Sequence, residues 1–330
     1  MIKTLFHQIG AYKKDSILTP IYAAAEVIME ILIPFVTAAI IDEGIQAGNM
    51  QKVLQYGVIM IVLALLSLFF GIQAGRKAAS ASTGFACNLR ESMYRNIQTF
   101  SFSNIDKFST AGLVTRMTTD VTNMQNAYQM ILRIAVRAPM TLICSMVMCF
   151  IINVKLSLIF LVALCVLAAA LIYIMMHAMP VFQEVFSKYD DLNASVQENV
   201  TAIRVVKAFV REDFENQKFG KAAEVLCKLF VKAESIIVFN APIMMTVIFA
   251  SMLGLSWIGA QLIVAGDLTT GNLMSLFSYV LSIMMSLMML SMIFVMLTMS
   301  TASAKRIVEV LNEKADLTDP QEPLKESPSI

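Results

Sequence analysis

The sequence predicts an all-α polytopic membrane protein with six transmembrane helices and two long cytoplasmic helical hairpins. Three observations predict it: charge is almost absent from six long stretches, the basic residues gather on one side of them, and the long segments between carry helical rather than linker-like patterns. A soluble chain is hard to sustain at 58% hydrophobic content with six such runs.

The first stretch, Ile17 to Ile41, is apolar apart from Glu26 and Glu30. The others are Gly57 to Gly75, Ala138 to Val154, Leu156 to Met176, Ser235 to Gly266 and Leu268 to Ala304, of which the third is the shortest. About 20 apolar residues cross a bilayer core, so each suffices for one crossing and both termini share a side. Of the 25 Lys and Arg, all but Lys52 and Lys155 fall in the N-terminal segment, in Arg76–Arg137, in His177–Glu234 or in the C-terminal tail. The positive-inside rule makes those segments, and both termini, cytoplasmic.

Residues 1–16 lack the continuous apolar core and small-residue cleavage site of a secretory signal. Ile2, Leu5, Phe6 and Ile9 recur at helical spacing beside Lys3, Lys13 and Lys14, which suits a short helix on the membrane face. The five cysteines show neither CxxC nor metal-ligand spacing, and His7 and His177 stand alone, so no metal site is expected. Basic residues alternate with acids, which reads as solvated surface and not as a nucleic-acid footprint.

The external connections Asp42–Lys52, Asn153–Lys155 and Gly266–Gly271 are short. The two internal ones are long, lack Pro and Gly clusters, and place apolar residues such as Val196, Val200 and Ile203 at helical spacing. Arms of about 25 residues would project roughly 40 Å from the membrane. The expected tips run from Phe102 through Asn104, Ile105, Asp106 and Lys107 to Phe108, and from Phe209 through Val210, Arg211 and Glu212 to Phe214. Each mixes aromatics with charge, as a surface that docks a partner does.

Glu26 and Glu30 are four apart and share a helix face with Tyr22. Carboxylates at mid-membrane cost about 2.5–3.5 kcal/mol each on insertion scales, so they face a bundle interior or a wet cavity. They read either as a cation-attracting surface in a transport pathway or as a polar contact to a neighbouring helix. Met284, Met288, Met292 and Met296 recur every four residues of the sixth stretch, with Phe277 nearby. Such a strip suits a cavity wall that accepts varied shapes, and equally helix packing. Arg133 and Arg137 stand where the third stretch begins and read as snorkelling anchors. Pro34 and Pro242 each remove a backbone donor and are expected to bend their helices.

Four local sequences carry a family resemblance. Gly112–Asp120 (GLVTRMTTD) is similar to a GxLxSRxxxD segment, and Glu198–Glu212 (ENVTAIRVVKAFVRE) to an ExLxGIxxVKAFxxE segment. Gly266–Tyr279 (GDLTTGNLMSLFSY) and Ala302–Asn312 (ASAKRIVEVLN) resemble a last external turn and an exit helix. In this order the chain resembles the transmembrane domain of ABC exporters, most closely bacterial multidrug half-transporters that pair with a different half. Ala111–Gly112 and Ala202 depart from the family pattern without breaking a helix.

The resemblance implies a dimer of half-transporters in a bacterial inner membrane, tips docked on ATP-binding domains, and alternating access driven by ATP. Residues 1–16 would be the interfacial helix, 17–312 the membrane domain and 313–330 a linker toward an ATP-binding domain. No GxxxxGK[ST] phosphate loop occurs in this sequence, so ATP and Mg would be held outside it, as would hydrolysis. Substrates would be amphipathic compounds, cations among them. The alternatives are a lipid or peptide translocator of the same fold, or a proton-coupled transporter using Glu26 and Glu30.

Overall fold

The computed structural model describes residues 2–315, and among them every regular element is helical. The elements are α1 (Ile2–His7), a 3₁₀ turn (Gly10–Tyr12), α2 (Lys13–Ala39), a π-helix (Ile40–Ile45), α3 (Met50–Ile97), α4 (Phe102–Phe108) and α5 (Thr110–Thr115). A second π-helix (Arg116–Asp120), α6 (Val121–Ile152), α7 (Val154–Thr201), α8 (Ile203–Ala208), α9 (Glu212–Val238), α10 (Asn240–Ala265) and α11 (Thr270–Asn312) follow. Six helical segments are long and apolar enough to cross a membrane, the sixth being Thr270–Ile293 of α11. The chain is a multi-pass membrane protein.

Side-chain caps set the helix starts. Asn49 accepts from the amides of Gln51 and Lys52, Asn153 from Leu156, and Thr269 from Asn272. Gly266, at φ 85°, ends α10 in the left-handed conformation, and its amide and that of Asp267 return to the carbonyls of Ile263 and Leu262. α3 and α7 each hold 48 residues, about 70 Å of helix and twice a bilayer core. Both run on into the hairpins expected from the sequence, but the helix expected to continue unbroken through Ala202 is interrupted there, α7 ending at Thr201 and α8 starting at Ile203.

The chain divides into two compact units. The first holds α1–α6 and α11, where close helix approach rests on small residues: Ala23, Ala74, Ala78, Ala81, Ser82 and Ala86 are fully buried. Gly84 leaves room for the Tyr12 ring, which a Cβ there would strike. Pro34 interrupts α2's hydrogen-bond ladder, and α11 bonds to backbone nearby: Tyr279 donates its hydroxyl to the Ile31 carbonyl at 2.8 Å, and Ser275 to that of Pro34. Toward the hairpin, Ile9, Phe85, Leu89, Met93, Phe108, Val121, Ile307 and Val310 form one apolar core. Each fully buried large side chain there contributes about 1.5–3 kcal/mol.

In the second unit, α7 packs on α9 through Val185, Leu226 and Ala233, and Asn199 donates to Glu215 at 3.0 Å. The fifth apolar stretch contains a break. α9 ends at Val238 and α10 begins at Asn240, so Pro242 sits in a first helical turn. Proline costs nothing there, because first-turn amides have no intrahelical partner. The bend expected at Pro242 is therefore a junction between two helices.

Candidate functional site

The two acidic residues of the first span share one partner. Arg137 of α6 donates from Nη1 to Glu26 Oε1 at 2.6 Å, and from Nη2 to both oxygens of Glu30 at 2.8 and 2.9 Å. Arg137 therefore lies at the depth of the acidic pair and is no snorkelling anchor. Its place also explains why the third apolar stretch is short: α6 reaches membrane depth before the charge-free run starts. Gly71 of α3 makes room for Glu26, since a Cβ there would lie 2.9 Å from Oε1. Glu26 is 6% exposed, whereas the Glu30 side chain is 38% exposed. Oε2 of Glu26 is buried with no hydrogen-bond partner. Tyr22 stacks on Phe70, with ring centroids 6.3 Å apart.

The methionine strip splits. Met284 is fully buried, whereas Met288 and Met292 are exposed and share their face with Met285 and Leu281. A four-residue step overshoots the 3.6-residue turn, so the strip drifts around the helix. Phe277 is half-buried.

At the first tip the exposed aromatic is Phe102, at 87%. Phe108 is buried under the guanidinium of Arg116, 4.8 Å from the ring centroid. Asn104 is also buried. Its Oδ1 accepts from the Ser101 amide and hydroxyl in a capping box, and its Nδ2 donates to Glu313 Oε1 and the Lys314 carbonyl, both at 3.1 Å. Lys107 donates to both oxygens of Glu313, and Asn96 to the carbonyls of Val310 and Glu313. Asp106 is exposed and Ile105 half-buried. Residues 313 and 314 are thus fastened to the tip, while residues 316–330 of the expected linker lie outside the described residues.

Behind this tip a second polar cluster joins the wide π turn to α11. Asp120, nearly fully buried, accepts from Arg306 Nε at 2.7 Å, from Arg306 Nη2 and from Ser303 at 2.9 Å. Arg116 reaches the Arg306 carbonyl and Glu309 Oε2. The hydrogen bond to Asp120 raises the pKa of Arg306 above its ordinary value, so the guanidinium stays charged.

The second tip presents Phe209 at 74%, Val210 at 81% and Phe214, with Arg211 over the Phe214 ring. Lys207 pairs with Glu212 at 2.9 Å. Val210 has φ 50°, a left-handed conformation that a β-branched residue adopts only under constraint.

Residues 17–288 match the family model of the ABC transporter transmembrane region. The chain belongs to this family. A Bacillus subtilis (strain 168) relative, named only as an uncharacterized ABC transporter ATP-binding protein, is 32% identical over 291 residues, 88% of this chain and 51% of its own length. A putative export ATP-binding/permease protein of Rickettsia typhi is 23% identical, covering 92% of this chain and 52% of its own. An ATP-dependent lipid A-core flippase of Desulfotalea psychrophila is 25% identical over 249 residues, covering 73% and 43%. The chain spans about half the length of the curated relatives it matches. In this ABC transporter transmembrane chain, the GLVTRMTTD segment supplies Arg116 and Asp120 to the polar cluster, and ENVTAIRVVKAFVRE leads into the Val210 turn.

Proposed function

We propose that this chain supplies the translocation pathway and coupling hairpins of an ATP-driven exporter of amphipathic compounds, cations among them. The observation that carries the substrate reading is the asymmetry of the acidic pair: Glu26 is shut in, while the Glu30 carboxylate remains open. Exposed Met288 and Met292 would form an adaptable apolar wall, with Tyr22 and Phe277 as further contacts.

In this reading two half-transporters combine, alike or different, in a bacterial cell membrane with both termini cytoplasmic. Residues 17–312 form the membrane domain, flanked by an interfacial segment and a linker. Phe102 with Asp106 and Lys107 on the first tip, and Phe209, Val210, Arg211 and Phe214 on the second, dock on ATP-binding domains. The relatives' ATP-binding names support placing ATP and Mg there. The flippase relative supports a second reading, lipid translocation by the same alternation.

The test uses the full-length transporter in proteoliposomes, with a monovalent organic cation and a neutral compound carried side by side. Glu30→Gln is expected to weaken the cation alone, by roughly 10-fold for the loss of a charge-assisted contact. Equal losses for both compounds contradict the cation reading, and transport of labelled lipid in place of both favours the flippase.

A further inference from the structure

The direct ion pairs of the membrane cluster are uneven. Glu26 and Glu30 bring two negative charges and Arg137 one positive. Arg133, one turn earlier on α6, lies against Gly75 and pairs with neither carboxylate. Two carboxylates thus share one guanidinium in direct contact, with Arg133 the next cation a turn away.

The hydrogen bonds are unbalanced in the complementary way. Glu30 takes two bonds from one nitrogen of Arg137 although its side chain is 38% exposed. Glu26 is nine-tenths buried and takes one, leaving Oε2 without a donor. A guanidinium can grip a carboxylate through two parallel bonds, and here the fork is shared between two acids. One extra monovalent cation at Glu30 resolves both deficits, because Arg137 can then close its fork on Oε1 and Oε2 of Glu26.

We propose that Glu26, Glu30 and Arg137 form a one-cation exchange site, in which Arg137 is a tethered counter-ion that holds Glu30 until a monovalent organic cation displaces it onto Glu26. The inference rests on the cation reading above and adds the specificity-determining residue. Glu30 meets the ligand. Glu26 receives Arg137 and never touches it. The occupied site is neutral, with one cation on each carboxylate, so a monovalent ammonium or phosphonium fits and a dication leaves charge over.

The test is binding to the full-length transporter in lipid nanodiscs, with tetraphenylphosphonium as the cation and triphenylphosphine oxide as its neutral counterpart. Glu30→Gln is expected to weaken tetraphenylphosphonium by ~10-fold or more and leave the oxide unchanged. Arg137→Met removes the internal competitor and is expected to tighten tetraphenylphosphonium by ~10-fold. Arg137→Lys keeps the charge but loses the fork, and is expected to shift affinity in the same direction by less. If both Arg137 variants leave tetraphenylphosphonium binding unchanged or weaker while Glu30→Gln still weakens it, the exchange is wrong and the cation site stands. If Glu30→Gln changes both probes equally or neither, the cation reading itself fails, and the exchange with it.

Discussion

Glu313 and Lys107 lie 206 positions apart in sequence, yet the Lys107 ammonium donates to both Glu313 oxygens, at 2.7 and 2.9 Å. With Asn104 beneath them, they bind the end of α11 to the first hairpin tip. The Glu313–Lys314 segment is thereby bonded to α4 as well as continuous with α11.

That arrangement gives a graded prediction. Lys107 is 60% exposed, so Lys107→Ala should cost only about 0.2–1 kcal/mol. Asn104 is buried and bonded on both its oxygen and its nitrogen, so Asn104→Ala should cost about 1–3 kcal/mol or more. Thermal unfolding of the full-length protein ranks the two. The charge exchange Lys107→Glu with Glu313→Lys should recover only part of the stability lost in Glu313→Lys, because Asn104 Nδ2 still lacks the Glu313 oxygen as acceptor.

The two aromatics of the first tip should behave oppositely. Phe102→Ala removes an exposed ring and should leave folding intact while lowering substrate-stimulated ATP hydrolysis. Phe108→Ala empties a core position and should cost about 3–5 kcal/mol. Folded yield and stimulated ATPase activity, measured on both, separate docking from packing. At the second tip, Phe209→Ala should resemble Phe102→Ala.

Asp120 and Arg306 form a pair with one buried partner. Asp120→Ala should destabilise by about 1–3 kcal/mol, because Ser303 loses its acceptor while the half-exposed Arg306 can turn to water. The paired change Asp120→Leu with Arg306→Met should cost less than the sum of the single changes, read from melting temperatures as a double-mutant cycle.

Gly71→Ala should act on the acidic pair without touching a charge. The added methyl would stand 2.9 Å from Glu26 Oε1, and like Glu26→Gln it should weaken a cation relative to a neutral compound, because either change hinders Arg137 from closing on Glu26. Transport of a cation and a neutral compound in both variants checks this. Discrimination identical to the parent's would show that Glu26 can move aside.

Six spans and two hairpins were legible in the sequence because lipid tolerates so little charge that its absence marks each crossing. Arg137 was not, since an arginine at the edge of an apolar run looks like an interface anchor. The clue available was paired: two acids at mid-depth need a cation, and the third run, the shortest of the six, begins directly after Arg137. The tip positions were legible, but the outward aromatic was not, because only the capping box of Ser101 and Asn104 fixes which side of α4 faces the core. Glu313 read as linker, for its partners come from the far end of the chain. Met284, Met288 and Met292 looked like one strip because spacing alone does not say where packing ends.

The central claim, a pathway coupled to ATP through the hairpin tips, is tested most directly by the energy source. The full-length transporter in sealed proteoliposomes should accumulate ethidium when Mg-ATP is supplied on the side of the ATP-binding domains without any ion gradient, and not under an imposed pH gradient without ATP. Phe102→Ala and Phe209→Ala should abolish that accumulation. Uptake that follows the pH gradient and ignores ATP would contradict the account.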